Sequence, residues 1–438
     1  MSRTHTKTQE VVARVVDRAV LVGADRGGSV PVEDSMEELA RLANTAGAQV
    51  VGTLVQRLDR PHPRTFLGKG KIEELAEMIA ERDATLVVFD DDLTPSQQAN
   101  IEDLVSKVKI LDRTALILDI FALHATSREG KLQVELAQME YLLPRLRGMW
   151  RHLARSAAAA GGALGIGTRG PGETQLETDR RIARKRVQEL KRELKHVAAN
   201  RLLQRKGRAD SGVFRIALVG YTNAGKSTLL NALTGAEVLV EDMLFATLDS
   251  TTRRLDLPEG RTVTITDTVG FIRKLPHGLV EAFKSTLDEV READLLLHVV
   301  DASHALAREQ TSAVLEVLGE IGAAAKPQVL VHNKVDLLPA GEIEVLAQRA
   351  PGAVFVSAAG GDGLDRLVER IAREASRGST TLTLMVPYTR GDIVRMAHAR
   401  AQVVAEEHTE EGTLLTVRAP SELVETLRAF ETGPSETP

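Results

Sequence analysis

Residues 214–227 read Phe214-Arg215-Ile216-Ala217-Leu218-Val219-Gly220-Tyr221-Thr222-Asn223-Ala224-Gly225-Lys226-Ser227, an apolar run that breaks into a glycine-bounded loop ending on a Lys-Ser pair. A short apolar run of this kind is a buried strand, and strand, glycine loop and helix follow in the order a phosphate-binding P-loop requires. Backbone N–H groups of such a loop wrap phosphates, Lys226 is placed to neutralise β and γ oxygens, and the Ser227 hydroxyl is placed to bind Mg²⁺.

Outward from this loop, apolar runs alternate with helical patterns, with strands expected at 214–219, 263–266, 295–300, 329–332 and 354–357. That alternation predicts a doubly wound parallel sheet, a P-loop GTPase domain over 211–378. Asn333-Lys334-Val335-Asp336 closes one run. A carboxylate there accepts both the N1–H and the exocyclic amino group of guanine, a donor pair adenine lacks, so Asp336 selects GTP over ATP. Asn333 is expected to tie this base loop to the P-loop, and the Lys334 stem to lie over the purine. Ser357-Ala358-Ala359 resembles the loop whose backbone N–H touches guanine O6. Asp267-Thr268-Val269-Gly270 closes another run: Asp267 is expected to hold Mg²⁺ through water and the Gly270 N–H to sense the γ-phosphate. Thr247, Thr251 and Thr252 all lie in the loop where a threonine would reach Mg²⁺ only while GTP is bound. Thr247, in Phe245-Ala246-Thr247-Leu248-Asp249, is favoured. The catalytic set is therefore Lys226, Thr247 and Gly270. Phe271 stands where many GTPases place a glutamine that orients the attacking water; a phenyl ring cannot hydrogen-bond water, so slow intrinsic hydrolysis and a need for a partner are expected. Asn223 reads either as simple loop capping or as help in binding an activating K⁺.

The first 130 residues show the same alternation, with strands at 19–22, 50–56, 86–89 and 108–111 and amphipathic stretches at 33–46, 71–80 and 95–107. They predict a second parallel α/β domain over 1–130. Within it, Leu67-Gly68-Lys69-Gly70-Lys71 reads as a glycine turn with solvated lysines or as a loop that holds a phosphate. Beyond residue 378 a small α+β unit is expected over 379–438, with strands at 382–386, 402–405 and 414–417 and helices near 391–400 and 421–430.

Between the two α/β blocks the period changes. Leu132, Leu136, Met139, Leu143, Leu146, Trp150 and Leu153 alternate spacings of four and three, as do Ala183, Val187, Leu190, Leu194 and Val197. These are seams of two long helices. Residues 157–172, with six glycines and Pro171, join them, and Pro144 is expected to kink the first. An antiparallel helical hairpin over 131–210 with a flexible tip follows, a plain linker being the alternative.

The 438-residue chain carries 56 Lys+Arg against 61 Asp+Glu, a net charge of -5, which taken alone argues against a nucleic-acid partner. Its partition reverses that inference. Residues 144–209 hold 17 arginines and lysines against five acids, a local charge of +12, so the remainder carries -17. Five acids cannot pair 17 bases, and the near lack of aromatics argues against base stacking, so a basic rod fits shape and backbone recognition of folded RNA. The absence of cysteine excludes disulfides, thiolate metal sites and cysteine nucleophiles. It fits a reducing compartment, and no run approaches the roughly 18 apolar residues of a membrane span, so a cytoplasmic monomer without an integral membrane segment is expected.

Three strings are more discriminating than the P-loop: Glu129-Gly130-Lys131-Leu132-Gln133-Val134-Glu135-Leu136-Ala137-Gln138, Leu142-Leu143-Pro144-Arg145-Leu146, and Gly167-Thr168-Arg169-Gly170-Pro171-Gly172-Glu173-Thr174-Gln175-Leu176-Glu177-Thr178-Asp179-Arg180-Arg181. On these the chain resembles the HflX family of translation-associated GTPases over about residues 15–430. The resemblance implies a protein that binds the large (50S) ribosomal subunit through ribosomal RNA, is activated as a GTPase by the ribosome, dissociates 70S ribosomes and inserts its tip in the peptidyl-transferase region. It implies GTP/GDP-binding positions at Gly220, Tyr221, Thr222, Asn223, Ala224, Gly225, Lys226, Ser227, Thr228, Phe245, Ala246, Thr247, Leu248, Asp249, Asp267, Thr268, Val269, Gly270, Asn333, Lys334, Val335, Asp336, Ser357, Ala358 and Ala359, with Mg²⁺ on Ser227 and Thr247. Two other functions compete: a GTPase switch scaffolding an RNA-modification or membrane-associated complex, and a coiled-coil adaptor with a vestigial GTPase domain.

Overall fold

The computed structural model describes residues 16–28, 30–105, 108–146, 171–209, 213–235, 243–258, 261–274, 284–377 and 379–432. The chain divides into two compact units, residues 1–123 with 137–187, and residues 124–136 with 188–438.

The first unit is built on a parallel sheet of β1 (Arg18–Asp25), β2 (Gln49–Arg57), β3 (Leu86–Phe89) and β4 (Lys109–Asp112), in the order β2-β1-β3-β4. β3 is buried at every position, as a central strand covered on both faces must be. The helix Pro95–Leu104 is punctuated locally: Thr94 and Gln97 form a reciprocal capping box and Pro95 fills the first turn, where its missing N–H costs nothing. It stops short of the expected 107. The helix Arg113–His124 has no counterpart in the sequence reading; it is apolar almost all round, so no 3.6-residue period marks it. At Gly68 the chain makes an ordinary helix start, with the Gly68 N–H donating to Gln56 Oε1 at 3.1 Å and Lys69 and Lys71 paired with Glu73 and Glu74.

The first arm departs from expectation. The helix Arg128–Leu142 ends two residues before Pro144, and residues 143–145 form a turn. Proline disfavours helical geometry at the residue before it, so the helix is interrupted over 143–145 where a kink is expected, and Leu146 is helical again. Arg145 turns inward: Nη2 donates to Leu93 O at 2.7 Å and to Asp112 Oδ2 at 3.1 Å, and the guanidinium lies 3.5 Å from the Tyr141 ring centroid. One of the 17 basic residues is thus spent inside the fold. Trp150, Leu153 and the glycine-rich tip lie outside the described residues. The segment expected to form the second arm is the helix Pro171–Ala209, 39 residues long and starting on a proline that suits a first turn. Leu190 on its seam is fully buried, Ala183, Val187, Leu194 and Val197 are half-buried, and Arg181, Arg184, Lys185, Lys191, Arg192 and Lys195 are exposed.

In the second unit β5 (Arg215–Gly220), β6 (Thr251–Asp256), β7 (Thr262–Asp267), β8 (Leu295–Asp301), β9 (Gln328–Asn333) and β10 (Val354–Phe355) form a sheet ordered β10-β9-β8-β5-β7-β6. β6 runs antiparallel to β7 at one edge and every other pair is parallel. β6 escaped the sequence reading because Leu255 is its one buried residue. Apolar side chains of β5, β7, β8 and β9 and of the helices Lys226–Thr234 and Leu364–Ser376 make the core of this sheet. A separate antiparallel sheet of β11 (Ser379–Val386), β12 (Gln402–His408) and β13 (Thr413–Pro420), ordered β11-β13-β12, packs its own core with the helices Gly391–Arg400 and Ser421–Arg428. Among the described residues no helix is long and apolar enough to cross a membrane.

Candidate guanine-nucleotide site

The carboxyl ends of β5, β7 and β9 carry the P-loop, the Asp267–Gly270 turn and the Asn333–Asp336 turn, the edge where open α/β sheets bind ligands. Two P-loop glycines are sterically required. A Cβ on Gly220 would stand 2.2 Å from Val299 O, and one on Gly225, at φ 88°, would stand 2.3 Å from Asn333 Nδ2. The second clash marks the tie expected of Asn333: Nδ2 donates to Ala224 O at 2.9 Å and Oδ1 accepts from Ala358 N at 2.9 Å, joining three motifs through one buried amide. Asn223 adopts a left-handed φ of 61°.

Lys226 is buried, and its Nζ donates to Tyr221 O at 2.9 Å and Gly220 O at 3.2 Å. Burial lowers its pKa to about 8, with Asp267 opposing that shift. Ser227 Oγ donates to Asp267 Oδ2 at 2.6 Å and lies 2.8 Å from Thr247 Oγ1. Burial raises Asp267, partly offset by Lys226 and the two hydroxyls. Asp267 Oδ1 is buried without a hydrogen-bond partner. A carboxylate and two hydroxyls converging beside an unsatisfied oxygen are the hard donor set that suits Mg²⁺. Among the three candidate threonines, Thr247 is the one at this cluster; Thr252 pairs with Thr266 across β6 and β7.

Gly270 packs onto the P-loop so closely that a Cβ would stand 2.8 Å from Thr222 and 3.0 Å from Lys226 Nζ. Thr268 Oγ1 donates to Leu218 O at 2.6 Å, and Val269 is buried. Phe271 is 1% exposed and bridges Tyr221: its N–H donates to Gly220 O at 3.1 Å and its O accepts from Thr222 N at 2.8 Å. The guanine side is more open. Asp336 is exposed on a short 3-10 turn, Lys334 Nζ pairs with Asp301 Oδ2 at 2.7 Å, Ser357 and Ala358 are buried, and Ala359 is exposed. Tyr221, Thr222, Thr228, Phe245, Ala246 and Leu248 line or flank the phosphate cleft, while Val335 N donates to Val356 O.

Three family models match consecutive stretches of the chain: "GTP-binding GTPase N-terminal" over residues 33–122, "GTP-binding GTPase Middle Region" over 124–208 and "50S ribosome-binding GTPase" over 215–334. The chain is 47% identical over 421 residues to the GTPase HflX of Caldanaerobacter subterraneus subsp. tengcongensis, covering 96% of this chain and 95% of that protein. It is 41% identical over 421 residues to the GTPase HflX of Escherichia coli (strain K12), covering 96% and 97%. The chain belongs to the HflX family of GTPases. It is a GTP-hydrolysing enzyme of P-loop α/β fold that binds GTP and GDP.

In this HflX-family chain two features escaped sequence reading. His298 on β8 is buried, and burial, His332 and Lys226 together hold its pKa down at about 4, so it is uncharged at neutral pH. The carboxylate of Asp249 is engaged by Thr126 and Ser127, so a part for Asp249 at the nucleotide falls to its backbone. Burial opposes ionisation there, but the hydrogen bonds from Ser127 and Thr126 hold its carboxyl below the usual range.

The Lys226 shift has a measurable consequence. A bound phosphate favours the charged ammonium and raises its pKa above the free protein's value of about 8, so binding takes up a proton above that pH. GDP affinity is expected to be flat from pH 6.5 to 7.5 on the order-of-magnitude scale of this linkage and to fall by up to about tenfold per unit above pH 8. Titration calorimetry in buffers of different ionisation enthalpy checks it; affinity rising between pH 8 and 9.5 would contradict the assignment.

Proposed function

We propose that this HflX-family GTPase binds the large ribosomal subunit through ribosomal RNA, separates 70S ribosomes into subunits, and hydrolyses GTP slowly alone and faster on the ribosome. The observation that carries the reading is the helix Pro171–Ala209, whose exposed Arg181, Arg184, Lys185, Lys191, Arg192 and Lys195 give a cationic face to a chain of net charge -5. The description of the model matching 215–334 supports the same partner. Mg²⁺ held by Ser227 and Thr247, with Asp267 behind them, would supply positive charge at the β and γ phosphates. Phe271, buried and committed by its backbone to the P-loop, offers no polar group to the attacking water. That fits an enzyme whose hydrolysis depends on groups or order supplied by the partner.

Purified full-length protein loaded with a non-hydrolysable GTP analogue is expected to co-sediment with 50S particles, with affinity falling by about 10³ between 50 and 200 mM salt if six or more phosphates are contacted. Absence of co-sedimentation at the lower salt, or binding indifferent to salt, would remove the RNA-facing role from this helix.

A further inference from the structure

The start of the helix Arg128–Leu142 and the segment after Thr247 are joined by side chains more than 120 residues apart in sequence. Asp249 Oδ2 accepts from the Thr126 N–H at 2.9 Å, the Thr126 hydroxyl at 2.7 Å and the Ser127 N–H at 2.7 Å; Oδ1 accepts from the Ser127 hydroxyl at 2.5 Å. Ser127 Oγ in turn accepts from Gly130 N at 2.8 Å, so the same hydroxyl caps the helix and holds the carboxylate. Gly130 makes room for it: a Cβ there would stand 2.5 Å from Asp249 Oδ1. Two residues earlier, Thr247 Oγ1 lies 2.8 Å from Ser227 Oγ, which bonds Asp267. Two peptide links span at most about 7 Å, so fixing Asp249 confines where Thr247 can be.

We infer that Thr126 and Ser127 are positioning residues for GTP hydrolysis: by holding the Asp249 carboxylate at the start of the Arg128–Leu142 helix, they set Thr247 against the Ser227–Asp267 pair. This rests on the reading of Thr247 as a Mg²⁺ residue. A carboxylate bound by two backbone N–H groups at a helix start also complements the partial positive charge there, so the contact favours the ordered arrangement of both segments. Without it, the loop must be ordered at the moment GTP and Mg²⁺ bind, and that entropy is lost from their affinity. GDP, held by the P-loop and the guanine loop, does not draw on this order. Reciprocally, GTP binding must tighten the start of the helix, because the coupling free energy is shared by both ends.

The test uses full-length Ser127→Ala, Gly130→Ala, Ser127→Thr and Thr247→Ala. Gly130→Ala decides most, because alanine raises helix propensity while displacing Asp249, so its effect cannot come from a weakened helix. Ser127→Ala and Gly130→Ala are expected to bind a GTP analogue about tenfold more weakly and to need more Mg²⁺ for half-maximal hydrolysis, with GDP affinity within about twofold of wild type. Ser127→Thr, which keeps the hydroxyl, restores both. Amide exchange at Thr126 and Ser127 is expected to slow when the analogue binds to wild type and not to Gly130→Ala. Wild-type Mg²⁺ dependence and wild-type GTP-to-GDP preference in both Ser127→Ala and Gly130→Ala, with Thr247→Ala impaired, overturn the inference; so does an equal fall in GTP and GDP affinity, which marks a merely structural contact. An unchanged Mg²⁺ dependence in Thr247→Ala overturns instead the metal reading beneath it.

Discussion

Replacing Lys226 with alanine is expected to lower GDP and GTP affinity about a thousandfold, on the order of 4 kcal/mol, while leaving the fold intact. The size follows from burial. Lys226 is 6% exposed and its ammonium is oriented by two P-loop carbonyls, so its attraction for phosphate oxygens is little screened by water. Removing it leaves anionic oxygens against a desolvated wall without their main counter-charge. The same burial protects stability in the variant. Because the site already pushes the Lys226 pKa down to about 8, the charged side chain opposes folding when no phosphate is present, and its loss should leave Tm unchanged or higher. Calorimetric titration together with thermal melts separates the two effects. A variant that binds GDP within tenfold of wild type would show that Lys226 is not the phosphate counter-charge, and one that fails to fold would show that its packing had been misjudged.

The parts of the candidate site that chemistry constrains most tightly are legible in the sequence. A loop that wraps phosphate needs glycines where Val299 O and Asn333 Nδ2 approach, and Gly220 and Gly225 mark those positions in the sequence. Buried parallel strands need near-continuous apolar runs; β3 carries one without a break and β8 one interrupted by His298. What stayed hidden lacks such a local signature. β6 is an edge strand with Thr252, Arg253 and Arg254 exposed and Leu255 alone buried, so neither an apolar run nor a period of two marks it. The helix Arg113–His124 is buried on nearly every side and shows no amphipathic stripe. The Asp249 contact joins residues 122 and 123 apart, and a pairing of that range leaves no periodic trace in one sequence. In sequence Arg145 reads as one more cation of the basic segment, whereas Asp112, reached from 33 residues away, draws it inward. Of the segment's described cations, Arg145 at least turns inward, while Arg181, Arg184, Lys185, Lys191, Arg192 and Lys195 are exposed.

The second large effect concerns the partner. Phe271 after Gly270 leaves no glutamine there to orient water, so under the proposed function most of the attainable rate comes from groups or order that the partner contributes. Stabilisation supplied in trans to a phosphoryl-transfer site accelerates hydrolysis by about 10³ to 10⁵ where it adds a cation directly, and by less where it only orders the switch loops. Large subunits are therefore expected to raise kcat for GTP hydrolysis by at least about a hundredfold. Removing residues 161–172 should leave GTP affinity within about twofold of wild type, because the deletion touches none of the residues at the phosphate or guanine loops, yet abolish most of the stimulation. Rising salt should weaken stimulation in parallel with binding, since both depend on displaced counterions.

The most direct test measures single-turnover GTP hydrolysis by the full-length protein with and without purified 50S subunits at fixed Mg²⁺ and low salt. Hydrolysis at least about a hundredfold faster with 50S, lost in the protein lacking residues 161–172, is the predicted result; the same rate with and without 50S would contradict a ribosome-activated GTPase.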